Sequence, residues 1–158
     1  MPRMYAVTFD NVSVSAAQDF FEISPADDKP VLIHGITLSN VGGTADAGDA
    51  QEEFWRIEIR RGHTSSGSGG TAPTPAALNP GDSAAGFSAE VNNTTIASAG
   101  TTTVLLADGM NVRIPYVWIP TPELRPIATQ GNTTIVVRLL STPSDAVSMS
   151  GTLYVEEI

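Results

Sequence analysis

Few residues of this chain could do chemistry, and their spacing limits what that chemistry would be. Two histidines occur, His34 and His63. His34 falls within the run Lys29 to Asn40, among Leu32, Ile36 and Leu38. Its expected role is a core or interface histidine held by a hydrogen bond. His63 stands at the head of a Gly/Ser stretch with no acid at an informative spacing. A Ser-His-Asp triad can assemble from distant segments, but the Gly-x-Ser-x-Gly elbow that would signal one is missing. Asp46, Asp49, Glu52 and Glu53 form the densest acidic cluster. Oxygen ligands in one loop suit calcium, yet the spacing departs from the EF-hand pattern, so a solvated loop is the expected reading and calcium the alternative. Gly67-Ser68-Gly69-Gly70 lacks the Gly-Lys-Ser/Thr ending of a phosphate loop. Trp55, Tyr116 and Trp118 would stack on a sugar if exposed, but Trp55 alternates with Ile57 and Ile59, which points to a core. With no cysteine and two isolated histidines, soft and borderline metal ligands are too few for a transition-metal site. The expectation is a protein that is not an enzyme, with no catalytic residue, cofactor or metal.

The elements that would position these residues are strands. Trp55, Ile57 and Ile59 alternate with Arg56, Glu58 and Arg60, the period of a strand with one buried face. The run then breaks into Gly62 to Gly70 and Pro73-Thr74-Pro75. The same grammar recurs from Tyr5 to Val155 and gives nine or ten strands without intervening helices. Lys29 to Asn40 is the longest, with Leu32, His34, Ile36 and Leu38 on one face unless Gly35 marks a bulge. Thr102 to Ala107 is expected to turn at Asp108-Gly109 into a strand over Asn111 to Ile119. Pro115 suggests an edge or a bulge there. Such spacing implies an all-β sandwich or barrel, and eight or more strands with long crossing loops favour a jelly roll. Residues 1–158 form a single domain, with 1–8 as an N-terminal arm or an edge strand. The long Gly62–Ala84 loop is expected to serve assembly rather than folding.

Composition narrows the partners. The chain has 158 residues, long enough for a core without disulfides. Its formal net charge is -9, from 17 acids against 8 bases. Only Arg60-Arg61 are adjacent bases, so nucleic acid is not an expected partner. An acidic surface keeps copies apart and would also suit a basic protein surface. No apolar run approaches the roughly 20 residues that span a membrane. Met1 to Tyr5 carries no apolar signal region, so cytoplasmic synthesis is expected.

Several segments carry a resemblance: Tyr5 to Phe9, Ala16 to Ile23, Arg60 to Gly70, Pro73 to Pro75, Val91 to Thr95, Pro120 to Glu123 and Met149 to Tyr154. In these the chain resembles a family of small structural proteins of tailed bacteriophages and prophages, and is similar to jelly-roll capsid decoration (cement) proteins. The resemblance implies a virion structural protein made in the bacterial host cytoplasm. It would bind the outer surface of the head, with the major capsid protein and its own copies as partners. A trimer is favoured and a dimer is the other choice. The candidate interface residues are Tyr5, Arg60, Arg61, His63, Thr64, Pro73, Pro75 and Trp118. The alternative is a tail-associated carbohydrate- or receptor-binding β-sandwich module.

Overall fold

The computed structural model describes residues 2–40 and 52–158. Two antiparallel sheets face each other, and the alternating apolar residues of both meet between them. Sheet A has the order β5-β1-β11-β3-β8, with β9 also pairing β3. Its strands are β1 (Arg3–Val14), β3 (Val31–Ser39), β5 (Ala76–Ala77), β8 (Tyr116–Trp118), β9 (Ile127–Ala128) and β11 (Val147–Glu157). Sheet B has the order β6-β2-β10-β4-β7, built from β2 (Gln18–Ser24), β4 (Phe54–His63), β6 (Ser88–Asn93), β7 (Thr103–Asn111) and β10 (Thr134–Leu139). The chain changes sheet at every connection except β6–β7 and β8–β9. Leaving out β5, β6 and β9, each sheet keeps four strands, β1-β11-β3-β8 against β2-β10-β4-β7, which is the wrapping of a jelly roll. The only helical elements among the described residues are two three-residue 3-10 turns, Pro122–Leu124 and Gln130–Asn132.

The core follows the period of two. Tyr5, Val7 and Phe9 of β1 and Leu153 and Val155 of β11 meet Phe21, Ile23, Ile57, Ile59, Ile135 and Val137 of sheet B. Phe9 lies against Phe20 and Phe21, with ring centroids 6.0 and 5.3 Å away. Gly35 does mark a bulge: the β3–β11 register shifts opposite it, so His34 faces outward while Ile36 and Leu38 stay inside. Trp55 is buried, as its alternation predicts.

Three expectations are corrected. Asp108-Gly109 is no hairpin, because β7 continues through it, paired with β4 as far as Phe54↔Asn111. The turn comes at Asn111, whose side chain accepts from the Arg113 amide at 3.0 Å, and Pro115 then delays β8 to three residues at the sheet edge. Residues 3–8 are not an arm. They lie inside sheet A between β5 and β11, and the Tyr5 ring is fully buried edge-on to Phe87.

The third correction concerns the Gly62–Ala84 loop, which is part of the fold. From the end of β4 it crosses the outer face of sheet B, running antiparallel to the β6–β7 connection. Ser65 pairs with Ser98, Ser68 with Thr95 and Thr71 with Val91, each by reciprocal backbone hydrogen bonds of 2.8–3.1 Å. The glycines permit this approach: a Cβ on Gly70 would lie 2.0 Å from the Val91 carbonyl oxygen. The loop then supplies β5 to the edge of β1, and the Ser83 carbonyl accepts from the Tyr5 hydroxyl at 2.9 Å.

Candidate functional site

The two outer faces of the sandwich differ. Over β6, β2 and β10 that of sheet B is polar and lies under the strap made by residues 64–72 and 94–101, while its β4–β7 side leaves Phe54, Arg56 and Val104 exposed. Arg138 of β10 and Asp19 of β2 are cross-strand neighbours there. Arg138 Nε donates to Asp19 Oδ1 at 2.6 Å and Nη2 to Oδ2 at 3.1 Å. The strap closes the pair, since Arg138 Nη2 also donates to the Ala97 carbonyl at 2.9 Å and the Ala97 amide donates to Asp19 Oδ2 at 2.8 Å. Glu22 accepts from the Gly67 amide at 3.0 Å and from Asn93 Nδ2 at 3.1 Å. Each buried charge thus meets a partner or a donor, as burial requires. Val136, also outward-facing, is buried in the same layer. This outward apolar side chain of β10 is therefore covered within the chain itself. Leu105 and Leu106 likewise pack against the core, at a register shift in β7.

His63 sits in this layer, 4 % exposed, and neither ring nitrogen makes a hydrogen bond of ordinary geometry. Burial lowers its pKa first, and the Arg138 and Arg60 charges add to this, while Asp19 and the Ala99 backbone oppose it. A histidine lowered in the folded state binds its proton more readily when unfolded. Its contribution is therefore intact above the unfolded value near 6.5 and is lost as pH falls below it. The stability difference between wild type and His63→Gln is expected to shrink or reverse between about pH 7 and pH 5. Urea titrations across that range check this; a pH-independent difference would mean that His63 is hydrated.

The outer face of sheet A has no such cover. Three cross-strand rows cross it: Met4–Glu156–Leu32–Ile127, Ala6–Tyr154–Gly35 and Thr8–Thr152–Thr37–Val117. Leu78 extends the first row, its amide bonded to the Met4 carbonyl. Ile119 closes the second, 3.5 Å from where a Gly35 Cβ would stand. Ile119 is 75 % exposed and Val117 59 %, and Leu78, Ile127 and Tyr154 are also exposed. The charged group in these rows is Glu156, and His34 Nε2 bonds its carboxylate. In a chain of net charge -9, these rows hold small, hydroxyl and apolar side chains and one acid, with Asp10 and Asp82 at their margins.

The interface candidates scatter. Tyr5 is core and His63 is buried, so neither offers a free surface. Arg60 is paired with Glu58, Nε donating to Oε2 at 2.5 Å. Arg61 turns to the sandwich end, where Nη1 donates to the Ile127 carbonyl at 2.6 Å. Thr64 is exposed and Pro73 and Pro75 are half-buried in the loop. Trp118 is half-buried against the core, on the strand that carries Val117. Of the aromatic set, Trp55 and Tyr116 are buried, and the Tyr116 hydroxyl, its pKa raised by burial and by Asp108, donates to that carboxylate at 2.9 Å. Asp46 and Asp49 lie outside the described residues. Glu52 accepts from Asn111 Nδ2, and Glu53 accepts from Trp55 Nε1 and from Ser144. Among the described residues no group of three or more acids and histidines could hold a metal. The face formed by Val117, Ile119, Ile127, Tyr154 and Leu78 carries no local signal in the sequence. Its members come from separate segments, and only the alternation of Tyr154 and Val117 with buried neighbours hinted at it.

No family model, curated protein or solved structure matches this chain.

Proposed function

We propose that this protein is a structural module that works by docking, with the outer face of sheet A as its contact surface. Its setting is the head of a tailed phage, where it decorates the capsid as a homo-oligomer, most simply a trimer. The observation that carries the docking role is the asymmetry of the sandwich: much of one outer face sits under its own strap, while the other presents Ile119, Val117, Tyr154, Ile127 and Leu78 to solvent. Copies of an acidic chain repel one another through most of their surface, so a face whose cross-strand rows hold one acid is where they can meet. A stable contact needs about 1,000 Å² of total buried area, which a sheet face of this kind can supply. Multivalent docking on a repeating shell then raises a modest affinity per contact. The capsid setting rests on the sequence resemblance and on the jelly-roll wrapping, which many unrelated functions also use.

Quantitative mass spectrometry of purified virions tests this reading. Decoration predicts a copy number comparable to that of the major capsid protein. A handful of copies would place the protein at the tail or portal, and absence from virions would refute the proposal.

A further inference from the structure

At one end of the sandwich, where β4 and β7 meet the 130–132 turn, lies a cleft of about 270 Å³. Arg61, Thr64, Thr101, Thr103, Asn132 and Thr133 line it, together with two glycines. We propose that this cleft is a binding site for an oxyanion group: phosphate, sulfate or a carboxylate. Three observations carry this. The lining has no acid, although acids outnumber bases 17 to 8 in the chain. Arg61 belongs to no ion pair among the described residues, and its Nη1 bond to the Ile127 carbonyl fixes the guanidinium at the cleft without neutralising its charge. A fixed guanidinium beside the hydroxyls of Thr64, Thr101 and Thr103 is a donor set that recognises planar or tetrahedral oxyanions, while Asn132 Nδ2 and the Thr133 hydroxyl donate within the turn, to Thr129 Oγ1 and the Asn132 carbonyl. Finally, Thr133 has φ 58° and ψ -135°, a conformation that costs a side-chain-bearing residue and that tends to persist at ligand sites. On the opposite wall the backbones of Gly62 and Thr101 approach closely: Gly62, at φ +108°, lies where a Cβ would meet the Thr101 carbonyl oxygen at 2.2 Å.

The test is a titration of the ¹⁵N-labelled full chain, followed by NMR, with sodium phosphate, sodium sulfate and sodium acetate at constant ionic strength, and with glucose as a neutral control. Saturable shifts confined to Gly62, Thr64, Thr101 and residues 131–133 are expected from at least one anion and from glucose not at all. Phosphate or sulfate binding more tightly than acetate points to a free inorganic ion or a phosphorylated or sulfated ligand. Acetate binding as tightly points to a carboxylate on a protein partner. Arg61→Gln should weaken binding by about ten-fold or more, as loss of a charged hydrogen bond does. Arg56→Gln, an exposed arginine at the far end of the same strand, should leave it unchanged. Arg61 also braces Ile127, so Thr64→Val at the exposed rim serves as a second variant, with weaker binding expected and the fold retained. Shifts that never saturate, an unchanged affinity in both cleft variants, or saturation by glucose alone would overturn the proposal.

Discussion

Replacing Asp19 by alanine is expected to cost about 3–5 kcal/mol of folding stability, the penalty for leaving a buried charge uncompensated. The Asp19 side chain is fully buried and that of Arg138 is 6 % exposed, so the guanidinium cannot turn to water without lifting the strap. The same substitution strips the Ala97 amide of its acceptor, so the damage reaches the strap as well as sheet B. The paired change Asp19→Leu with Arg138→Met should recover most of the loss, because it removes both charges rather than one. Urea unfolding of the three proteins measures this. A loss below about 1 kcal/mol for Asp19→Ala would mean that the pair behaves as a solvated surface bridge.

The second large effect concerns the Gly-rich loop. Exchange of Thr64–Asn79 for a short Gly/Ser linker is expected to destabilise the domain by on the order of 5 kcal/mol or more, summing about 1 kcal/mol per lost hydrogen bond and the burial cost of orphaned acceptors. The exchange deletes the three paired positions against residues 91–98, the Gly67 amide on Glu22, the Gly70 amide on Asn93 and all of β5. Loop-closure entropy offsets little of this, at about 0.6 kcal/mol per halving of length. Typical domains have about 5–15 kcal/mol in total, so the variant should melt far below wild type or fail to fold. A melting temperature within a few degrees of wild type would restore the reading of the loop as a detachable assembly element.

That reversal shows where the sequence was legible. Period-two alternation placed Phe54 to Arg61, Ile135 to Leu139 and Met149 to Val155 in strands, the first of which runs two residues further in the fold, and Gly35 was readable as a bulge. Alternation gives the two faces of a strand but not what covers each. Val136 points away from the core face of β10, yet it is buried, and its neighbour Arg138 is capped by a loop residue, Ala97, 41 positions away. Composition also misled locally. Gly and Ser read as slack, whereas Gly67 and Gly70 are small because backbones approach there closely. Asp108-Gly109 read as a turn because hairpin chemistry is local, while pairing with β4 kept the strand straight. Tyr5 looked available and was core, and the exposed face of sheet A, assembled from four separate segments, had no local signature.

In the proposed role, the outer face of sheet A joins copies of this chain. Sedimentation velocity of wild type beside the double variant Val117→Asp, Ile119→Asp, with melting followed in parallel, tests it most directly. Both positions are exposed, so the charges should leave the melting temperature nearly unchanged. The expected result is an oligomer, a trimer by mass, for wild type at tens of micromolar and a monomer for the variant. A wild type that stays monomeric at high concentration, or a variant that still assembles, would contradict it.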